Sequence, residues 1–420
     1  MSAIPSSNPV SRPPSWKWVI CGLLMLASAI NYMDRQTLAN ASVRITREFG
    51  LNHAQYGNVE AVFGYAFALG SLVFGWMADR YSLRILYAAV LALWSIAGAL
   101  AGFTETYDQL LWCRALLGFF EAGHWPCAVR VTRAILDDRQ RSMGNGLLQS
   151  GASLGAIVTP LIMQALMTTD AGGWRNAFVV VGCAGLLWLV PWFLLLKDSD
   201  LTASQDVSAA GPRNGPSLMS IVFSRRMAII FFVIACINTT WQVLRAWLPK
   251  ILQEGRGYTE AQSLYYNAFW FGATDVGCLA AGAMAVWLSR GKWTPHTARV
   301  AVFVGCAFLC AFCALTPFLS KGWLLLVVLA LAGAGSLGVF PLYHAFTQDI
   351  SATHQGRITG IAGVFAWIAP AQAQKLFGTL ADRTGSFDLG LAAAGFLPLI
   401  AALPLALFWG KRSTSSHPES

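Results

Sequence analysis

Twelve apolar stretches run through this chain, at 18–39, 55–78, 84–103, 109–130, 142–167, 176–196, 227–249, 262–288, 299–319, 322–348, 357–378 and 388–409. Each is close to the ~20 residues that a helix needs to cross a bilayer. Inside a bilayer no water satisfies the backbone, so a segment of that length must bond its own N–H and C=O groups as a helix. Charged residues make up only 12% of the chain, about half the share of a soluble domain. The expected fold is therefore an all-α polytopic membrane protein with 12 transmembrane helices.

The longest polar segment, 197–226, is rich in Ser, Gly, Asp and Pro and falls between the sixth and seventh stretches. It divides the chain into a first bundle, 18–196, and a second, 227–410, of six spans each, with tails at 1–17 and 411–420. A short amphipathic piece is expected near Ser217–Phe223, within an otherwise flexible linker. The opening Pro/Ser-rich tail leads into a full-length span and lacks the short apolar core of a cleavable signal.

Orientation follows from the basic residues. Loops on the side of the N-terminus hold about 18 of the 29 Lys and Arg residues and the opposite loops about 7. Both termini and the linker are therefore expected on the cytoplasmic side. The net charge of +9 sits in those short loops, which argues against a nucleic-acid partner. Nine scattered cysteines show no paired or metal-binding spacing and read as packing residues. No nucleophile–base constellation, metal spacing or phosphate-binding glycine loop is present. The chain is expected not to be an enzyme and to need no cofactor.

Charges inside the spans are the informative residues, because each costs at least ~2.5–3.5 kcal/mol at membrane depth. In the fourth span Arg114, Gly118, Glu121 and Trp125 fall at i, i+4, i+7 and i+11 and predict one stripe on a continuous helix. His124 stands beside it, as a tuner of Glu121, a proton shuttle or a hydrogen-bonding partner for a neighbouring helix. In the first span Asn31 and Arg35 share a face, with Tyr32 and Asp34 nearby. An internal Asp34–Arg35 ion pair is the plainer reading of that cluster. The seventh span presents Asn238, Trp241, Gln242 and Arg245 on one face, suited to hydroxyls and C–H faces of a polyol, although Arg245 at the outer rim is also open. Secondary candidates are Gln149, Tyr266, Asp275, Trp367 and Gln372, with Asp275 a third titrating site or a partner of Arg245 or Lys375. Glu60 is expected near the outer interface, and the Asp382–Arg383 pair is expected to be incidental.

Between the second and third spans, Gly75, Asp79, Arg80 and Arg84 stand in a Gly-x-x-x-Asp-Arg-x-x-x-Arg pattern, with Ser82 where a second glycine would complete it. The glycine would bring helices close, the aspartate would cap or bridge a helix of the other half, and the arginines would hold the cytoplasmic face. The matching loop at 287–299 is basic but lacks the aspartate, and the basic turn at 137–141 has an echo at 354–357. With six-plus-six spans, this pattern resembles the major facilitator superfamily. The Asn-Tyr-x-Asp-Arg of span one and the Arg114…Gly118…Glu121…Pro126 run of span four are similar to its anion:cation symporter branch. That branch includes proton-coupled transporters of hexuronates, galactonate and other sugar acids, and the lysosomal sialic-acid exporter.

The resemblance implies two six-helix bundles with pseudo-twofold symmetry and alternating access around a central cavity. It implies that Asp34 and Glu121 carry protons, that Arg35 and Tyr32 bind substrate, and that Arg114 partners Glu121. It also raises Tyr65 as a hydroxyl donor. The physics is compatible: a carboxylate in a dry cavity resists ionisation, and a guanidinium grips a planar carboxylate through two bonds. The expected function is proton-driven symport of an organic monoanion, a sugar acid such as a hexuronate or galactonate, by a monomer in a bacterial inner membrane. Arg35 would grip the carboxylate, with Tyr32, Tyr65, Arg114, Trp241, Gln242 and Arg245 completing the site. Two coupling carboxylates predict net inward positive charge per cycle. An aldarate, an aromatic acid, a sialic-acid-like anion or a drug-type proton antiport are the alternatives.

Overall fold

Every one of the twelve stretches is helical, and no strand occurs among the described residues. The structure is a computed structural model that describes residues 13, 15–170, 172–201, 218–291, 293–350 and 355–409. The first half contains α1 (Trp16–Glu48), α2 (His53–Ala78), α3 (Leu83–Ala101), α4 (Tyr107–Glu121), α5 (His124–Ile135), α6 (Asp138–Leu166) and α7 (Arg175–Leu195). A short α8 (Leu218–Val222) precedes the second half, in agreement with the amphipathic piece expected there. The second half contains α9 (Arg225–Lys250), α10 (Glu260–Ser289), α11 (Pro295–Ala311), α12 (Trp323–Gln348), α13 (Gln355–Thr384) and α14 (Asp388–Phe408). A π-helical turn, Ile251–Gly255, extends α9, and a 3-10 turn, Phe312–Phe318, extends α11. Most of both tails and of the linker, and His354 of the second basic turn, lie outside the described residues.

Local chemistry sets the helix starts. Asn52 and Gln55 form a reciprocal capping box at α2, and Thr259 and Gln262 repeat it at α10. Thr106, Ser224 and Thr294 cap α4, α9 and α11 in the same way, the last with Pro295 at the first helical position. Ten helices among the described residues are long and apolar enough to span a membrane. The two spans that fall short are the fourth, with Arg114 and Glu121, and the eleventh, with Lys375, Asp382 and Arg383.

The fourth span is not the continuous helix that its periodicity predicts. It breaks at Ala122–Gly123, between α4 and α5. Pro126 lacks the N–H that would have reached the Ala122 carbonyl, and the chain tightens into a Gly123 N–H to Phe120 carbonyl bond of 3.0 Å. Arg114, Gly118 and Glu121 remain on the buried face of α4, while Trp125 belongs to the next helix and is half-buried.

Small residues let the helices approach. Within the first bundle, Gly151 and Gly155 of α6 lie against the backbone of α1 at Met25 and Ala29, and Gly118 lies against Phe63 of α2. Between bundles, α2 runs along α13, α6 along α10 and α1 against α9. Gly57 and Gly64 of α2 leave room only for the Gln374 carbonyl and for Ala371 of α13. Adding a branched side chain at Gly155 would force α6 off α1. Gly155→Val should destabilise the protein by about 1–3 kcal/mol, read as a lower unfolding midpoint in detergent, whereas Gly146→Val, where a Cβ meets open space, should leave the midpoint nearly unchanged.

Candidate functional site

At mid-depth, α1, α2, α4 and α9 bring three guanidinia and three carboxylates into the interior. Arg35, Arg114 and Arg245, with Asp34, Glu60 and Glu121, are all buried. Their pairing differs from the one the sequence implies. Arg35 Nε donates to Glu121 Oε2 at 2.6 Å, and its Nη2 donates to Asn31 Oδ1 at 2.8 Å. Arg114 therefore does not hold Glu121. It lies 3.5 Å from Glu60, which also accepts from Arg245 Nη2 at 2.9 Å. Glu60 is thus not interfacial; it is buried and contacted by one arginine from each bundle.

Asp34 stands apart from Arg35, so the plain internal pair is not formed. Its carboxylate fits a notch left by Gly98 of α3, where a Cβ would collide with Oδ1. Its Oδ2 is buried without a hydrogen-bond partner among the described residues. Around Arg35 the rings of Phe67, Tyr32, Trp367 and Phe63 lie 4.9–5.6 Å from the guanidinium carbon. Trp367 comes from α13 and stacks on Phe67 at 4.1 Å, so the second bundle closes this aromatic box. Arg114 stacks on the other side of the layer, 4.5 Å from the Phe63 ring.

Arg245 is likewise not at a rim. Gln242 Oε1 accepts from its Nε at 2.6 Å, and Trp241 stacks on Trp270 nearly parallel, with centroids 5.7 Å apart. Asp275 accepts from Ser153 Oγ of α6 at 2.8 Å and joins neither Arg245 nor, in any contact seen, Lys375, whose side chain is exposed. His124 is fully enclosed. Its two ring nitrogens meet Ser28 Oγ and Tyr87 Oη, each at 2.9 Å, so it ties α1 to α3. Tyr266 lies away from the cluster: its hydroxyl donates to the Leu326 carbonyl, and its ring lines an apolar groove among α10, α11 and α12. Tyr65 is half-buried, and Gln149 and Gln372 are exposed. Two residues along from Gln372, Gln374 is the buried one, accepting from Trp247 and donating to the Gln242 carbonyl.

The loop between α2 and α3 is tied to its own bundle. Asp79 and the Ala78 carbonyl both accept from Arg130 of α5, rather than from a helix of the other half. Arg80 stacks on Trp76 and Arg84 pairs with Asp198 at 3.4 Å. Gly75 meets no neighbour where a Cβ would stand, so it is not the close-packing glycine; Gly70, set against the Phe119 carbonyl, is.

On the opposite face the bundles are latched together. Arg44 grips Glu260 of α10 through two bonds of 2.7 and 2.6 Å. Lys250 reaches Thr46 at 2.7 Å, and Asn40 accepts from Asn267 at 2.7 Å. Tyr56 donates to the Ala246 carbonyl at 2.9 Å. Asp382, at the end of α13, accepts the free N–H groups of His53 and Ala54 at 2.9 and 2.8 Å and so caps α2 across the interface. The Asp382 carboxylate is therefore not incidental. The sequence signal was its place in the last turn of its own helix, where an acid is unfavourable unless it serves another helix.

The protein defined by this fold and this charge cluster is a polytopic membrane transporter with a polar site between two helical bundles. The chain matches the Major Facilitator Superfamily over residues 24–373 and belongs to that family, whose members are transporters and not enzymes. It is 29% identical over 413 residues to a probable sulfoacetate transporter of Cupriavidus necator, covering 96% of this chain and 95% of the relative. It is 27% identical to a probable L-galactonate transporter of Escherichia coli, covering 91% and 86%, and 26% identical to a D-galactonate transporter of the same species, covering 95% and 97%. Among solved structures, a bacterial homologue of the lysosomal transporter Spinster, inward-facing and occupied, aligns with a TM-score of 0.73 at 18% identity, covering 94% and 97%. A D-xylose–proton symporter aligns with a TM-score of 0.72 at 15% identity, covering 94% and 98%. These last two establish likeness of fold.

Two measurements test the site's construction. Arg35→Gln leaves Glu121 buried without its partner and should cost about 3–5 kcal/mol, with most of the loss recovered in Arg35→Gln/Glu121→Gln; thermal unfolding of the purified variants reads this directly. Asp382→Ala removes both acceptors from the start of α2. Spin labels at Asn52 and Ser386 should then report a population at longer distance that the native protein lacks.

Proposed function

We propose that this protein is a proton-coupled symporter of a small organic monoanion, a sugar acid such as galactonate or a hexuronate being the expected substrate. The observation that carries this reading is Arg114. Its side chain is 1% exposed, yet none of its three guanidinium nitrogens has a hydrogen-bond acceptor among the described residues. A buried guanidinium in that condition lacks an oxyanion with two or more acceptor oxygens. Arg35, the substrate-gripping residue by resemblance, is occupied by Glu121 and Asn31 in this conformation. A proton arriving on Glu121 would release Arg35 to join Arg114 on the substrate, which links the two binding events. Asp34, buried without a partner for Oδ2, is the second proton carrier, because an isolated buried carboxylate is costly in its charged form. Trp241 and Gln242, on the second bundle, would face the carbon skeleton and its hydroxyls.

The basic loops put the N-terminal face in the cytoplasm, with both termini, in a bacterial inner membrane. On that assignment the latched face is external and this conformation opens inward. Gln149, one turn from Ser153 toward that side, is exposed, in keeping with an α6–α10 seam that closes at Ser153–Asp275 and opens below it. Asp79, Arg80 and Arg84 would form the cytoplasmic gate in the outward-open state. The names of the galactonate relatives support a sugar acid. The sulfoacetate relative keeps a small sulfonate in the panel of candidates.

Uptake into proteoliposomes with an inward proton gradient tests the proposal, using radiolabelled galactonate, glucuronate, galactarate and sulfoacetate. Accumulation of a monoanion should follow the gradient, fall at least tenfold in Asp34→Asn, Glu121→Gln and Arg114→Ala, and rise when the interior is made negative. Each elementary charge moved inward gains ~2.3 kcal/mol per 100 mV. Gradient-independent uptake, or none of any acid by folded protein, would remove symport of organic anions as the function.

A further inference from the structure

Glu60 has no place in the roles above, yet it holds the centre of the charged layer. Its Oε2 is shared by Arg245 of α9 at 2.9 Å and Arg114 of α4 at 3.5 Å, while its Oε1 is buried without a hydrogen-bond partner. Nη1 of Arg245 is equally without an acceptor. The three side chains are each no more than 3% exposed, so water does little to screen them. One carboxylate thus stands between two guanidinia from opposite bundles, and leaves donors on both unmatched. The other charged pair of the layer, Arg35 with Glu121, is internally balanced.

We infer that Glu60 is a specificity-determining residue: its carboxylate is a resident counter-anion in the Arg114–Arg245 seat and sets the charge of the acid that the transporter accepts. The inference rests on the proposed transport of organic anions. Two arginines facing one carboxylate keep a single positive charge in surplus, which suits one incoming acid group. A second acid group on the substrate would meet the Glu60 charge in the same dry seat, and like charges placed together there are strongly disfavoured. Without that carboxylate the seat would have room, charge and donors for both ends of a diacid. The contact has a further effect. Because Arg245 reaches Glu60 across the bundle interface, an acid group that draws Arg245 or Arg114 away loosens one tie between the bundles as it binds.

Galactonate and galactarate test this, since they differ by a terminal carboxylate on one carbon skeleton. Each would be measured for initial uptake and for competition against the other in proteoliposomes. Glu60→Gln should raise the galactarate-to-galactonate preference by about tenfold or more. Glu60→Asp, which keeps the charge, should stay near the native ratio. Glu60→Gln/Arg245→Gln, which restores the surplus of one, should return the ratio toward the native value even if absolute rates fall. Equal losses for both acids in Glu60→Gln, with no recovery of ratio in the double variant, would reduce Glu60 to a structural role and overturn the inference. A native protein that already prefers galactarate would overturn it as well. Failure of the native protein to carry either acid would instead strike at the transport reading itself.

Discussion

Burying charge is the constraint to which the rest of this molecule answers. Six ionisable groups of the first, second, fourth and seventh spans lie where neither water nor lipid head groups reach them. Each is tolerable only while its neighbours stay in place. The neighbours are held by packing rather than by the charges. Gly98 opens the notch for Asp34, Gly118 brings α4 against α2, and Gly57 and Gly64 bring α13 in on the other side. The aromatic box around Arg35 is closed by Trp367 from the second bundle. Loosening the bundles therefore changes the environment of the charges, and changing the charges alters what holds the bundles. That reciprocity is what a coupled transporter requires.

The two faces of the molecule are built on different principles. On the N-terminal face, Asp79, Arg84 and Arg130 bind within their own bundle, so this side can part without breaking those contacts. On the opposite face the ties cross from one bundle to the other: Arg44 to Glu260, Lys250 to Thr46, Asp382 to the start of α2. The Asp382 contact uses the orphan N–H groups of a helix N-terminus, which need an acceptor in any state. When the bundles separate there, water can take its place, so the latch is reversible at modest cost.

Much of this was legible in the sequence. Span positions followed from apolar length, because a bilayer leaves no alternative to helix. The linker announced itself by composition, and the buried charges by their expense. What the sequence did not disclose was the pairing. Arg114 and Glu121 share a helix face seven residues apart, so one-dimensional spacing joins them, whereas the structure joins Glu121 to Arg35 of another helix. Glu60 looked interfacial because it lies two turns into its span. Gly57 and Gly64 on either side of it were the available signal that this face packs against another helix. Gln374 rather than Gln372 turns inward because α13 meets α2 through Ala371, Gln374 and Gly378, a phase that apolar periodicity does not fix in a helix wet on one side and packed on the other.

The interruption after Glu121 bears on how such a molecule can move. A helix that must flex mid-membrane ordinarily breaks a backbone bond and exposes its ends to hydrocarbon. In the fourth span the bond from residue 126 to Ala122 cannot exist, because Pro126 has no hydrogen to donate. Bending there sacrifices no such bond. The segment bearing Arg114 and Glu121 can keep its grip on α2 while α5, with Arg130 at the cytoplasmic end, swings as a separate lever. The span thus works as two rigid rods joined by a ready-made elbow, and the elbow is seated directly beneath the residue that would receive the proton.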